Sequence, residues 1–158
     1  MITKGLVHIF VPAVEGIDGL KRKVFQIRKN FKISRSSIVY KRFAQAFQRQ
    51  QIEAVIEIEI EEQTPSSQQI SKELASLNAT LLILEGQLRV DPAMTIPHPQ
   101  LVLDSFLLKM SAEIRPYWEH RVSQNTLQGL SSQFPSQDQA EFLTQGSELI
   151  NFTIKGLV

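Results

Sequence analysis

Residues 52–62 have the sequence IEAVIEIEIEE, which is the most regular alternation of apolar and charged side chains in the chain. A period of two is typical of a β-strand. The alternation therefore predicts a strand with one buried face and one wet, acidic face. Glu57, Glu59 and Glu61 would lie in a row on the acidic face, where they could collect a cation or a basic partner. More often such a row is only the solvated side of an antiparallel sheet.

Apolar periodicity and turn signals on both sides of this strand extend it to a small α+β domain. In chain order, the predicted elements are a strand at 6–11, a helix at 20–29 with Asp18 as its N-cap, a strand at 32–41, the strand at 52–62, a helix at 67–77 and a strand at 79–84. The order βαββαβ is that of ferredoxin-like folds. It predicts an antiparallel sheet with helices on one face.

The remaining segments are predicted as C-terminal additions to this core. They comprise a short edge strand at 88–90, a segment at 104–110 that fits helix or strand equally well, helices at 127–130 and 138–145, and a final strand at 149–157. Residues 43–51 are polar and predict a loop. The whole chain, 1–158, is interpreted as one domain with a core at about 6–122 and a polar extension at 123–158.

Composition narrows the class of protein. The 158 residues carry a formal net charge of +1 and contain no cysteine, which excludes disulfides, thiolate metal sites and a cysteine nucleophile. No window reaches the roughly 18 apolar residues that span a bilayer, and the apolar N-terminal segment is too short for a signal peptide. We therefore expect a cytoplasmic protein without a membrane-spanning segment.

The basic residues are unevenly distributed. Ten of the 17 lysines and arginines lie between Lys21 and Arg49, a span without any acidic residue. Such a block can bind nucleic acid or phosphate ligands. It can equally be a solvated helix face and a loop that pairs with the acidic strand, and the sequence leaves both interpretations open.

The residues alone predict no catalytic group and no metal ligand. Gly16 and Gly19 lack the spacing of a phosphate-binding loop, no serine lies in a nucleophile elbow, and no two of the three histidines have metal-ligand spacing. His98, between Pro97 and Pro99 on a stiff extended segment, is the best candidate for a ligand contact, although it could simply hydrogen-bond within its loop. Phe106 could stack on a planar ligand, or could belong to the core.

The segment around His98 carries a family resemblance. Ile96-Pro97-His98-Pro99, followed by Leu101, Phe106, Leu108, Glu113-Ile114, Pro116 and Trp118, resembles the C-terminal half of 6-hydroxymethyl-7,8-dihydropterin pyrophosphokinase (HPPK). Residues 36–40, 52–60 and 81–86 are compatible with the family's upstream strands. The resemblance implies an enzyme of folate biosynthesis that transfers diphosphate from ATP to a pterin with two magnesium ions. It also implies that His98 contacts the nucleotide and Phe106 stacks on the pterin.

The chain departs from the family at several functional positions. The two metal-binding aspartates of the family align with Asn78 and Thr80, which are neutral and weak ligands for a hard divalent cation. An arginine of the family aligns with Asp104, and the pterin-binding asparagine aligns with Glu53. The resemblance therefore predicts a divergent member that lacks the Asp-x-Asp motif. Glu53 could still bind the guanidine-like edge of a pterin, because a carboxylate accepts two parallel N–H bonds.

These observations predict a catalytically impaired HPPK-like protein that retains a pterin or nucleotide site at His98, Phe106 and Glu53. ATP and Mg²⁺ are implied only by the family, and no cofactor follows from the residues themselves. Two alternatives remain. One is an active pyrophosphokinase whose metal is held elsewhere, for example by Glu85 or Asp91. The other is a ferredoxin-like interaction or nucleic-acid-binding module that uses the basic stretch 21–49.

Overall fold

The computed structural model describes residues 2–44, 49–61, 67–90, 95–134 and 139–151. The first half of the chain contains β1 (Ile2–Pro12), α1 (Gly16–Arg28), β2 (Lys32–Ser36), β3 (Val39–Ala44), β4 (Arg49–Glu61), α2 (Ser67–Ser76) and β5 (Thr80–Leu84). The second half contains β6 (Arg89–Val90), β7 (Thr95–Ile96), α3 (Gln100–Leu103), α4 (Ser105–Ile114), β8 (Glu119–His120), β9 (Asn125–Thr126), α5 (Leu127–Gln133), β10 (Gln139–Thr144) and α6 (Ser147–Ile150).

The central sheet is antiparallel and is organised around β4. Its strand order is β10-β3-β4-β1-β5, and β2 also pairs with β4. β1 pairs with β4 from Ile2 opposite Glu61 to Pro12 opposite Gln51, so the strand predicted from the alternation at 52–62 does form the centre of the sheet. The ferredoxin-like α+β fold is confirmed, and the predicted βαββαβ order holds when β2 and β3 are counted together as its second strand.

The strand predicted at 32–41 is two strands. The chain bends at Ser37, whose backbone N–H donates to the Val55 carbonyl at 2.8 Å, while its hydroxyl accepts from the Val55 N–H at 3.0 Å. β2 and β3 then pair with successive parts of β4 on the same side. Residues 43–44 and 49–51, predicted as loop, extend β3 and β4, and residues 45–48 lie outside the described part of the chain.

One face of the sheet packs against the two helices of the predicted core. Ala54, Ile56, Ile58 and Ile60 of β4 are buried in a cluster with residues of α1 and α2. The α1 side chains in this cluster include Leu20, Val24 and Ile27, and those of α2 are Ile70 and Leu74. Burial of this many aliphatic side chains is the main stabilising contribution to such a fold. Helix α1 begins at Gly16, so that Asp18, predicted as its N-cap, lies in its first turn instead.

The opposite face of the sheet is covered as well. Val55 of β4 packs in a second cluster with Phe106 and Leu108 of α4 and Leu127 of α5. The prediction of a wet, acidic face is therefore wrong for Glu57, which is fully buried, although Glu61 is exposed. The physical reason is that α4, which belongs to the C-terminal additions and has α5 packed against it, lies over β4, and Arg115 directly after α4 reaches Glu57.

Two predictions near the C-terminus are wrong. Residues 139–144 form strand β10, which pairs with β3, and not the predicted helix. Leu149 and Ile150 belong to α6 and not to a strand, while residues 152–158 of the predicted final strand lie outside the described residues. Both segments are too short for periodicity to separate helix from strand. Their secondary structure therefore depends on contacts with distant residues, such as the pairing of β10 with β3. The segment at 104–110, left open by periodicity, is the first part of helix α4.

No helix in the described ranges combines the length and the apolar character that crossing a bilayer requires.

Candidate functional site

Glu53 lies in the middle of β4 with its side chain fully buried. Its carboxylate accepts three kinds of donor. Oε1 is 3.1 Å from Nε2 of His8 on β1, and Oε2 accepts from the Gln51 amide at 2.7 Å. The third partner is Arg42 on β3, whose Nε and Nη2 donate to Oε2 and Oε1 at 2.9 and 2.8 Å. Both carboxylate oxygens of Glu53 are thus engaged by side chains of neighbouring strands.

Arg42 is the centre of this cluster and is itself 2% exposed. Its Nη1 and Nη2 donate to the two carboxylate oxygens of Asp104, both at 2.9 Å, so that the guanidinium binds two carboxylates bidentately. The guanidinium carbon also lies 4.8 Å from the centre of the Phe106 ring. Arginine suits this position because its planar fork matches carboxylates and stacks on aromatic faces. We call Glu53, Arg42, Asp104 and Phe106 the Arg42 cluster.

Within the Arg42 cluster, the charged forms of Glu53 and Arg42 stabilise each other. Burial alone would raise the pKa of Glu53, but hydrogen bonds and charge from His8 and Arg42 lower the pKa overall. Burial alone would lower the pKa of Arg42, yet the hydrogen bonds and charges of Asp104 and Glu53 raise it. A buried charge is tolerated only when it is paired and hydrogen-bonded, and both conditions are met here.

Phe106 belongs to the buried core of the second face and is 2% exposed. The Tyr40 ring meets it edge-on at 5.0 Å between centroids, and the Lys109 ammonium lies 5.3 Å from its centre. The sequence left open whether Phe106 is a core residue or a stacking platform. It is a core residue here, and the planar group beside its ring is the guanidinium of Arg42.

His98 lies beside β5, where its backbone N–H donates to the Leu82 carbonyl at 2.7 Å. Its Nδ1 accepts from the Gln100 N–H at 3.0 Å, and burial lowers its pKa. The ring is therefore oriented at the start of α3, with Nδ1 as a hydrogen-bond acceptor. Glu53 and Phe106 are brought together through Arg42, whereas His98 is hydrogen-bonded to Leu82 and Gln100.

Asn78 and Thr80, which align with the family's metal-binding aspartates, lie at the start of β5. Asn78 is exposed in a left-handed conformation with φ of 56°, and its carbonyl oxygen is 3.5 Å from the Lys23 ammonium. The positively charged Lys23 ammonium thus lies beside Asn78. A divalent cation held at Asn78 would instead need negatively charged ligands. These residues do not fit Mg²⁺. Across the described ranges, no three His, Asp or Glu side chains converge as a metal site.

A second ion pair on the same face was missed by the sequence reasoning. The fully buried Glu57 accepts from Nη2 of Arg115 at 3.0 Å and from the Ser34 hydroxyl at 2.7 Å. These bonds lower the pKa of Glu57 against the opposing effect of burial. Arg115 in turn lies 5.4 Å from the Trp118 ring. At least two acidic residues of the predicted row therefore have basic partners, Arg115 for Glu57 and Lys32 for Glu59, and both partners belong to the chain itself.

Arg42 and Lys23 were also missed, since both belong to the basic block at 21–49 and no local pattern distinguishes them. The structure disperses that block. Arg42 is buried, Lys32 pairs with Glu59 at 3.5 Å, and Arg28 donates to the Ile150 carbonyl. The one available signal for Arg42 is its position two residues after Tyr40, on the same face of β3.

No family model matches the chain, and no curated protein matches it. Among solved structures, the crystal structure of the HPPK-DHPS of Plasmodium falciparum is similar with a TM-score of 0.59 and 9% sequence identity. The similarity covers 84% of this chain and 43% of that one, so the chain spans less than half the length of this neighbour. At this identity the likeness concerns the fold alone, and it shows an HPPK-like fold.

Proposed function

We propose that this chain is a catalytically impaired protein of HPPK-like fold, which acts by binding a small molecule of the pterin or nucleotide type and not by transferring diphosphate. One observation carries the proposal. The guanidinium of Arg42 is held between two carboxylates and against the ring of Phe106. A site of this shape recognises a planar group with two parallel N–H donors.

Diphosphate transfer is disfavoured by the distribution of charge. Phosphoryl transfer depends on cations placed at the developing negative charge. In the Arg42 cluster the positive charge of Arg42 is already shared by Glu53 and Asp104. At the start of β5, Asn78 and Thr80 offer no carboxylate for a divalent cation. The reaction needs positive charge directed at the phosphates and carboxylates that hold a divalent cation. The Arg42 cluster does not supply the first, and Asn78 and Thr80 do not supply the second.

Ligand binding is supported by the chemistry of Glu53 and Phe106. A pterin carries an N–H edge that resembles a guanidinium, and a buried carboxylate accepts such an edge through two parallel bonds. A planar ligand that binds there must replace the Arg42 guanidinium, which now occupies both the carboxylate and the ring. Because Arg42 competes with the ligand, only the small fraction of molecules in which Arg42 has left the site can bind it. The apparent affinity for the ligand is reduced in proportion to that fraction.

Calorimetric titration with 6-hydroxymethylpterin tests this proposal. We expect weak binding by the wild type and at least about tenfold tighter binding by Arg42→Met, because that variant removes the competitor. Arg115→Met is the matched control, since Arg115 forms an equivalent bidentate pair with Glu57 on the same strand. It should bind the pterin as the wild type does. A folded Arg42→Met variant that binds no more tightly than the wild type contradicts the proposal.

Two further measurements keep the test independent of the stability of that variant. In the wild type, the Arg42 Nε–H resonance should shift on addition of the pterin, while that of Arg115 should not. Incubation with the pterin and magnesium–ATP should give no diphosphorylated product. Product formation at the rate of an ordinary kinase would overturn the impaired-enzyme part of the proposal.

A further inference from the structure

A cleft of about 560 Å³ opens between α1 and the C-terminal end of β1. The side chains that matter for its chemistry are those of Phe10, Glu15, Arg22, Lys23, Gln26 and Asn78. The volume lies within the range of small-molecule sites. Neither Arg42 nor Glu53 lines it, so the cleft is separate from the Arg42 cluster.

Lys23 is the notable group in the cleft. Its ammonium is half-buried, donates to the Phe10 carbonyl at 2.7 Å, and lies 5.2 Å from the centre of the Phe10 ring. The ammonium also lies 3.5 Å from the backbone carbonyl oxygen of Asn78. In the described part of the chain, no carboxylate lies within ion-pair distance of this ammonium. Glu15 acts on it only at longer range, and burial lowers the pKa of Lys23 against that influence.

Two cations on the second face of the sheet contrast with Lys23. Arg42 and Arg115 each form a bidentate pair with a fully buried glutamate. Partly buried charges ordinarily find such a counter-ion, because desolvation is costly. Lys23 thus retains a positive charge that carbonyl oxygens stabilise but do not neutralise.

We infer that this cleft binds the phosphate group of a small molecule, with Lys23 as its deeper cation and Arg22 as its exposed one. Phosphate suits the pair because an ammonium offers a point charge and a guanidinium offers a fork of donors. The neutral side chains of Gln26 and Asn78 add donors along the cleft. Glu15 opposes the anion and limits its affinity. The inference does not depend on the function proposed for the Arg42 cluster.

Calorimetry on the full chain at low salt, with inorganic diphosphate and with AMP as probes, tests the inference. We expect both to bind the wild type, and Lys23→Met to weaken binding about tenfold. Lys29→Met is the matched control, because Lys29 lies on the same helical segment and its ammonium is also 5.2 Å from a ring centre, that of Phe25. Its binding should stay within about twofold of the wild type.

Glu15→Gln gives a test in the opposite direction, since removal of the opposing carboxylate should tighten diphosphate binding severalfold. Lysine ε-carbon resonances supply a readout in the unmodified chain, where diphosphate should shift Lys23 and leave Lys29 in place. Tighter binding of AMP than of diphosphate would assign the phosphate to a nucleotide, and the reverse order would assign it to an inorganic or simple phosphate ester.

Absence of binding of both probes at millimolar concentration would overturn the inference. Equal losses in Lys23→Met and Lys29→Met would do so too, because they would show binding governed by net charge. Arg42→Met should bind diphosphate as the wild type does. Failure of the pterin test therefore leaves this result unaffected, and the two proposals stand or fall separately.

Discussion

The guanidinium of Arg42 and the carboxylate of Asp104 are joined by two hydrogen bonds of 2.9 Å, which connect strand β3 to the N-terminus of helix α4. The same carboxylate caps that helix, since Oδ1 accepts from the N–H groups of Phe106 at 3.0 Å and Leu107 at 3.4 Å. Asp104 therefore fixes the start of α4 and the position of Arg42 at once. In this way the helix that covers the sheet is tied to the buried charge beneath it.

Asp104→Ala and Asp104→Asn separate these two roles. Asparagine is a good N-cap, so Asp104→Asn loses mainly the charge and should lower the free energy of unfolding by about 1–2 kcal/mol. Asp104→Ala also loses the cap and should cost about 1 kcal/mol more. Urea unfolding of both variants checks this difference. Equal losses would show that the helix cap contributes nothing measurable.

Arg42→Met should lower the free energy of unfolding by about 3–5 kcal/mol, because it leaves the buried Glu53 without its cation. The double variant Arg42→Met with Glu53→Leu removes both charges and should recover most of that loss. Thermal and urea unfolding of the single and double variants measure the coupling. If the double variant were as unstable as the sum of the two single ones, Arg42 would act through packing on Phe106 and not through the ion pair.

Stability should fall in acid because of Glu53 and Glu57. Both have a pKa below the ordinary value of 4.5 in the folded protein, so at low pH the unfolded chain binds more protons than the folded one. Their contribution is complete well above the ordinary pKa and is lost as the pH falls through the lowered one. Urea unfolding between neutral pH and acid should show this decrease, and Glu57→Gln should flatten it. Glu119→Gln, at an exposed position, is the control variant, because it leaves both buried carboxylates in place.

Ser111→Ala should stabilise the protein by about 1 kcal/mol. The Ser111 hydroxyl is buried inside α4 and, within the described residues, has no hydrogen-bond partner. Replacement by alanine removes that desolvated group and favours the helix. Ser132→Ala is the comparison, since the Ser132 hydroxyl is exposed and donates to the Gln128 carbonyl at 3.0 Å. A loss of stability in Ser111→Ala would mean that the hydroxyl has a partner after all, such as a bound water.

The order of the core elements was predictable because it follows local periodicity. The alternation at 52–62 identifies β4, and apolar spacing at 20–27 identifies the inner face of α1. The bend at Ser37 was not predictable, since it depends on hydrogen bonds to Val55 in another strand. Strand β10 was missed for the same reason, because its pairing with β3 comes from distant residues.

Single residues of the candidate site were predictable from the sequence, but the contacts between them were not. The resemblance singled out Glu53 and Phe106, and the structure brings both to the Arg42 guanidinium. The signal for Arg42, its position two residues after Tyr40, is too weak to show burial, because a lysine or arginine in a basic block is typical of a solvated surface. Ligand binding at Glu53, Phe106 and His98 stays a prediction.

The sequence by itself determined which segments form the central strands and the two core helices, since amphipathic periodicity depends on neighbouring residues alone. Only the tertiary structure decided which charges are buried and what pairs with them. Glu57 alternates as a solvent-facing residue should, yet a distant helix covers it and Arg115 neutralises it. Burial and electrostatics are set by segments far apart in the chain, and for that reason the pairing of Arg42 with Glu53 and Asp104 became visible only in the folded protein.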